Sequence, residues 1–158
     1  MTKTIAISGK GGTGKTTVSA LLIKLLSEKG VVLAIDGDPS SNLNMALGLP
    51  LSDTVGDIRE EMATEVRTGR FDQGMTKKDY LDLKIQESLV ESPRIDLLAM
   101  GRPEGPGCYC AANHILRSAI DQIAGNYDYV VVDNEAGMEH ISRQTTRDVD
   151  VLLLVSDT

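Results

Sequence analysis

The run Gly9-Lys10-Gly11-Gly12-Thr13-Gly14-Lys15-Thr16 constrains the fold of this chain more than any other stretch. It fits G-x-x-x-x-G-K-[ST], and a specific physical demand lies behind that spacing. Small residues let successive backbone N–H groups curl around phosphate oxygens, and the start of a helix adds favourable partial charge. The run must therefore join a strand to a helix. Thr4–Ser8 before it is a short apolar run suited to a buried strand, and Val18, Leu21, Leu22, Leu25 and Leu26 after it repeat at helical spacing. Gly30 is expected to close that helix as a C′ glycine, with Val31–Ile35 forming the next strand. Strand, glycine loop, helix, strand is a βαβ unit.

Three further strands are predicted at Ile95–Met100, Tyr129–Asp133 and Val149–Ser156. Ala112, Ile115, Leu116, Ala119, Ile120 and Ile123 mark a second amphipathic helix over Ala112–Ala124, with Gly125 as its stop. This alternation implies an α/β fold, a parallel sheet with helices on both faces. A chain of 158 residues with 41% apolar composition suits one domain over residues 1–158. Within it, residues 52–92 are charged and weakly periodic, and are expected to form exposed helices and loops beside the main sheet. The chain stops at Thr158, straight after the apolar run Val151–Val155. A buried strand seldom ends a domain without a covering helix, so a truncated piece of a larger fold is expected.

The net charge of −7 argues against electrostatic attraction to nucleic acid or to an anionic membrane. The apolar run near the N-terminus is far too short for a signal peptide or a membrane span. Cys108 and Cys110 lie two residues apart, where a mutual disulfide would be strained. Reduced thiols and no export signal predict the cytoplasm.

The glycine run also fixes its chemistry. Lys15 is expected to pair with the β- and γ-phosphates of a nucleotide such as ATP or ADP, and the Thr16 hydroxyl to bind Mg²⁺. Val130-Val131-Val132-Asp133-Asn134-Glu135-Ala136-Gly137 reads as a strand ending in a carboxylate, followed by D-x-x-A-G. Asp133 would hold Mg²⁺ through water, and the Gly137 N–H could sense the γ-phosphate. A second strand also ends in carboxylates, at Asp36-Gly37-Asp38-Pro39. Ligands in such folds gather at this C-terminal sheet edge.

Read through to Thr17, the loop is Gly-Lys-Gly-Gly-Thr-Gly-Lys-Thr-Thr, with a second lysine at Lys10. In this it resembles the deviant Walker A group, which includes the MinD and ParA ATPases and the nitrogenase iron protein. The resemblance implies a P-loop NTPase that hydrolyses ATP as a homodimer, with Lys10 reaching across to the partner's nucleotide. It also implies that Asp38, at the switch I position, orients or activates the attacking water, and that Asp36 orders water on Mg²⁺. Members of the group continue well past the strand that ends near Ser156, and read the adenine there.

The cysteine pair narrows the resemblance. Gly105-Pro106-Gly107 forms a turn that would expose Cys108 and Cys110 just before the second helix, whose start favours thiolate. One C-x-C offers two sulfurs where a closed sulfur-rich site wants four, and a two-fold dimer would supply them. Soft thiolates suit nickel or zinc alike. His114, one helical turn beyond Cys110, is a candidate extra ligand, and His140 a weaker one. The stretch from Met100 onward looks like the cluster-ligand segment of the nitrogenase iron protein. That protein has a second ligand cysteine after its Walker B strand, where Met138-Glu139-His140 stands here. The C-x-C and the phrase from Asp133 through Arg143 together resemble the CooC-type accessory ATPases. That resemblance implies nickel insertion into a client of the carbon monoxide dehydrogenase type. A ParA- or MinD-type positioning ATPase and an iron–sulfur redox carrier are the alternatives, and neither a DNA-binding surface nor a membrane-targeting helix is visible.

Overall fold

The computed structural model describes residues 1–40, 42–102, 109–134 and 149–157. The strands are β1 (Lys3–Gly9), β2 (Val32–Asp36), β3 (Ile95–Ala99), β4 (Tyr129–Asp133) and β5 (Val151–Val155). They form one sheet in the order β3-β2-β4-β1-β5, and every pairing is parallel. The helices are α1 (Lys15–Ser27), α2 (Leu43–Leu47), α3 (Val55–Arg67), α4 (Lys77–Ser88) and α5 (Tyr109–Ile123). A 3₁₀ turn at Ala124–Asn126, which contains the expected stop Gly125, follows α5.

Alternation along the strands divides the core in two. Val32, Ala34 and Val131 face α1 and α2, where Ala20, Ile23, Leu43 and Leu47 cover them. Leu33, Ile35, Leu98, Val130 and Val132 face the other way, under Val55, Ile58, Ile85, Ala119, Ile120 and Ile123. Helices on both faces of a parallel sheet are the expected α/β class.

Four details differ from expectation. First, α1 turns another stripe inward. Lys15, Ser19, Ala20 and Ile23 are buried, while Val18, Leu21 and Leu25 are exposed. The helix begins at Lys15, whose ammonium must reach the carboxylate ending β4, and this fixes the rotation of every later residue. Leu22 and Leu26 keep only the margin of the buried face. Second, Gly30 is not a left-handed C′ residue. Glu28 caps α1, and the Gly30 N–H donates to the Leu26 carbonyl at 3.0 Å. Glycine is required there because a Cβ would run into the Asp128 carboxylate, which accepts from the Val31 N–H at 2.8 Å.

Third, residues 52–92 do more than sit beside the sheet. α3 and α4 are exposed on their outer faces, yet Val55, Ile58 and Ile85 belong to the same core as α5. Thr54 starts α3 with a reciprocal cap: its hydroxyl accepts from Asp57 N–H at 3.1 Å, and Asp57 Oδ2 accepts from Thr54 N–H at 2.9 Å. Fourth, among the described residues β5 is an edge strand rather than a buried one. Val151, Leu152 and Leu154 are 45%, 54% and 70% exposed, while Leu153 and Val155 pack toward α1. Among the described residues no helix is long and apolar enough to cross a membrane.

Candidate functional site

Parallel pairing places the ends of β1, β2 and β4 at one sheet edge. Ile7 and Asp36 are both register partners of Asp133, so the carboxylates of β2 and β4 stand side by side next to the loop leaving β1. That loop is built to turn tightly. Gly12 and Gly14 have φ of +79° and +86°, and a side chain at either would be strained. The Thr13 hydroxyl closes the turn by donating to the Lys10 carbonyl at 2.7 Å. Gly14 is the N-cap of α1 and no side chain caps the helix, so the first N–H groups of α1 are left to a ligand.

Asp133 organises the inner side of the loop. It is fully buried, with Oδ2 accepting from Thr16 Oγ1 at 3.0 Å and Oδ1 accepting from Ser19 Oγ at 3.0 Å. Lys15, 7% exposed, places its ammonium 3.7 Å from Oδ1. Burial raises the pKa of Asp133 above the ordinary carboxylate value. Lys15, Thr16 and Ser19 pull it back, and Asp38 pushes it further up. Lys15, Thr16 and Asp133, three of the residues singled out from the sequence, thus stand together at one point. Ser19 is the residue that sequence reasoning missed. A small hydroxyl residue four positions after Lys15, inside the otherwise apolar run Val18–Ile23, is the available signal.

The two aspartates after β2 have different surroundings. Asp36 is buried and both of its oxygens accept backbone bonds, Oδ1 from Asp38 N–H at 3.1 Å and Oδ2 from Leu43 N–H at 3.0 Å. Burial pushes its carboxyl up to about 6, while those two N–H groups pull it down and Asp133 and Asp38 raise it again. Its contacts are those of a clasp on the loop before α2. Asp38 is half-buried, and its Oδ1 accepts from Ser40 N–H at 2.8 Å. That bond makes it a turn former while leaving its other oxygen without a bond among the described residues. Lys10 is exposed on the outer side of the loop.

Backbone bonds continue along this edge. Gly37 N–H donates to the Asp133 carbonyl, Met100 N–H to the Asp36 carbonyl and Gly56 N–H to the Met100 carbonyl, at 2.8, 2.8 and 2.9 Å. The segment that leads from β3 toward the cysteine pair therefore leaves from the same edge. α5 begins at Tyr109, three residues earlier than predicted, so Cys110 falls in its first turn instead of preceding the helix. The Cys110 side chain and all of Cys108 lie outside the described residues, as do Gly137 and His140. His114 is exposed and lines a cleft of about 320 Å³ between α4 and α5, with Lys78, Asp82 and Ser118. Among the described residues no three His, Cys, Asp or Glu side chains cluster as a metal site.

The residues present fit a magnesium nucleotide. Gly12 and Gly14 leave open space on the loop, the start of α1 carries no side-chain cap, and a hydroxyl and a carboxylate oxygen stand together at Thr16 and Asp133. The family model described as "AAA domain" matches residues 2–158. An uncharacterized ATP-binding protein of Methanocaldococcus jannaschii is 54% identical over 154 residues, covering 97% of this chain and 61% of that one. The carbon monoxide dehydrogenase accessory protein CooC of Rhodospirillum rubrum is 35% identical over 164 residues, covering 96% of this chain and 61% of that one. The chain thus spans about three fifths of the length of both relatives. The septum site-determining protein MinD of Pyrococcus horikoshii, solved with Mg-ADP, superposes with a TM-score of 0.64 at 27% identity, covering 99% of this chain and 58% of that one. The chain belongs to this AAA-domain family of P-loop ATP-binding proteins, among ParA- and MinD-like relatives.

Proposed function

We propose that the protein is a dimeric Mg-ATP-dependent ATPase of the cytoplasm that carries nickel to a carbon monoxide dehydrogenase or a related enzyme. The observation that carries the ATPase part is the meeting of Lys15, Thr16 and Asp133 beneath an uncapped helix start. In this reading the backbone N–H groups of residues 11–17 hold the phosphates, and Lys15 balances charge on the β- and γ-oxygens. Thr16 would hold Mg²⁺ directly and Asp133 through water, and the ion would supply neutralisation of the phosphate charge when bound. Asp38 accepts from a water and aligns it in line with the γ-phosphorus. The water oxygen bonds to phosphorus as the bond to the β-phosphate bridging oxygen breaks, giving ADP and phosphate. Lys10, exposed beyond the loop's turn, reaches the nucleotide of a second copy and stabilises its transition-state charge in trans. Gly137 senses the γ-phosphate through its N–H.

The metal part rests on the C-x-C pair at the start of α5, on its departure from the nucleotide-binding edge, and on the 35% identity to CooC. Two copies bring four thiolates, from Cys108 and Cys110 of each, to a site that takes nickel or zinc as cargo. ATP closes the dimer around the metal and hydrolysis loosens it. The likeness to MinD favours a second reading, an ATPase that positions other cell components and for which the cysteines are incidental.

Native mass spectrometry separates the two, since mass reports nucleotide, metal and oligomer together. In Mg-ATP with Ni(II) or Zn(II), the metal-carrying reading expects a dimer holding one metal ion. Cys108→Ser with Cys110→Ser should abolish the metal. A nucleotide-loaded dimer indifferent to both ions and to both cysteines would overturn it in favour of the positioning ATPase.

A further inference from the structure

Ser19 makes a contact that the nucleotide-binding motif does not require. It is fully buried in α1, where alanine would be the better helix former and would bring no hydroxyl to satisfy. The ordinary resting bond of a helical serine is to the carbonyl four residues back, and Ser19 Oγ does lie 2.9 Å from the Lys15 carbonyl. Its oxygen is also 3.0 Å from Asp133 Oδ1, so its single proton is shared between two acceptors. Thr16, one turn earlier on the same helix face, donates to the other oxygen of the same carboxylate. Lys15 stands at 3.7 Å from Oδ1, beyond hydrogen-bond distance.

We infer that Ser19 is a positioning residue for magnesium: with Thr16 it clamps both oxygens of Asp133 and fixes the plane of the carboxylate that faces the metal. The inference rests on the proposed binding of Mg²⁺-nucleotide at this site. A carboxylate held on one side only can rotate about its last torsion, and the Lys15 ammonium is then the strongest remaining donor for Oδ1. Rotation toward Lys15 turns the oxygen pair away from the metal. Outer partners that orient a metal-binding carboxylate are typically worth about 10–100-fold in metal affinity. The nucleotide held without metal depends on Lys15 and the loop N–H groups, so it is affected much less.

The test uses the full chain and a fluorescent N-methylanthraniloyl-ADP, read by nucleotide fluorescence rather than turnover. Nucleotide affinity is measured in EDTA, and the nucleotide-loaded protein is then titrated with Mg²⁺. Ser19→Ala should raise the Mg²⁺ midpoint about 10–100-fold while leaving affinity in EDTA within about two-fold of wild type. In an Asp133→Ala background, Ser19→Ala should leave the Mg²⁺ midpoint unchanged, because its effect runs through that carboxylate. An unchanged midpoint in Ser19→Ala alone would overturn the inference and leave Ser19 as packing. Equal losses with and without Mg²⁺ would also overturn it, since the serine would then serve the loop as a whole. If wild type binds no nucleotide in either buffer, the binding reading itself falls and takes this inference with it.

Discussion

Asp36→Asn turns the buried clasp after β2 into a measurable pH dependence. The carboxyl is raised from 3.8 to about 6 by burial, against the two backbone bonds it accepts. A rise of roughly two units at about 1.4 kcal/mol each amounts to about 3 kcal/mol. The native state binds the proton more tightly than the unfolded chain, so stability is lost as pH rises from the unfolded value of 3.8 through about 6. Below that window both states are protonated and the carboxyl has no effect; above it the whole cost is present. Asparagine keeps the volume and one acceptor without the charge, and its misplaced amide N–H adds an offset independent of pH. The difference in unfolding free energy, variant minus wild type, should therefore rise by about 3 kcal/mol across the window, a shift of about 6–12 °C in melting midpoint for a chain of this size. Urea unfolding of both proteins, followed by far-UV circular dichroism from about pH 4 to pH 7, reads it directly. Groups that titrate alike in both proteins cancel in the subtraction. Parallel stability curves, or a difference that shrinks with rising pH, would refute the reasoning.

Three further outcomes are expected. Lys10→Ala should lower ATP turnover by about 10³-fold or more while sparing nucleotide affinity, a split that steady-state rates and equilibrium binding read separately. Gly101→Ala should destabilise the protein by at least about 2 kcal/mol in urea unfolding, because φ is +67° there and a Cβ would collide with the Thr54 side chain. Thr54→Ala should cost about 1 kcal/mol through the lost cap of α3, and amide exchange should quicken first at Val55–Ile58.

The phosphate loop and its partners were legible because they are local or lie at strand ends. Lys15 and Thr16 follow from one contiguous motif, and Asp133 ends an apolar run whose β4 boundaries match the prediction. The facing of α1 was not legible from hydropathy. Leu21 and Leu25 look like core and are exposed, because the ion pair of Lys15 with Asp133, 118 residues away in sequence, sets the rotation of the helix. Ser19 was hidden for the same reason, since only that rotation turns it toward the carboxylate. Gly30 stands where a helix stop is expected, yet its need for glycine comes from Asp128, which no local pattern reveals. Within residues 52–92 the polar majority masked Val55, Ile58 and Ile85, three side chains spaced too irregularly to form a stripe.

The exposed edge strand has a consequence for how a polypeptide of these 158 residues, prepared by itself, would behave in solution. Along β5 the side away from β1 offers unpaired main-chain groups among the described residues, and Leu152 and Leu154 stand open beside them. Such an edge is a template for strand addition, and the leucines make each addition favourable in water. Association by this route adds strands without the closure that a two-fold interface imposes. It would grow steadily with concentration, ignore nucleotide and thiols alike, and yield to a single lysine at Leu154.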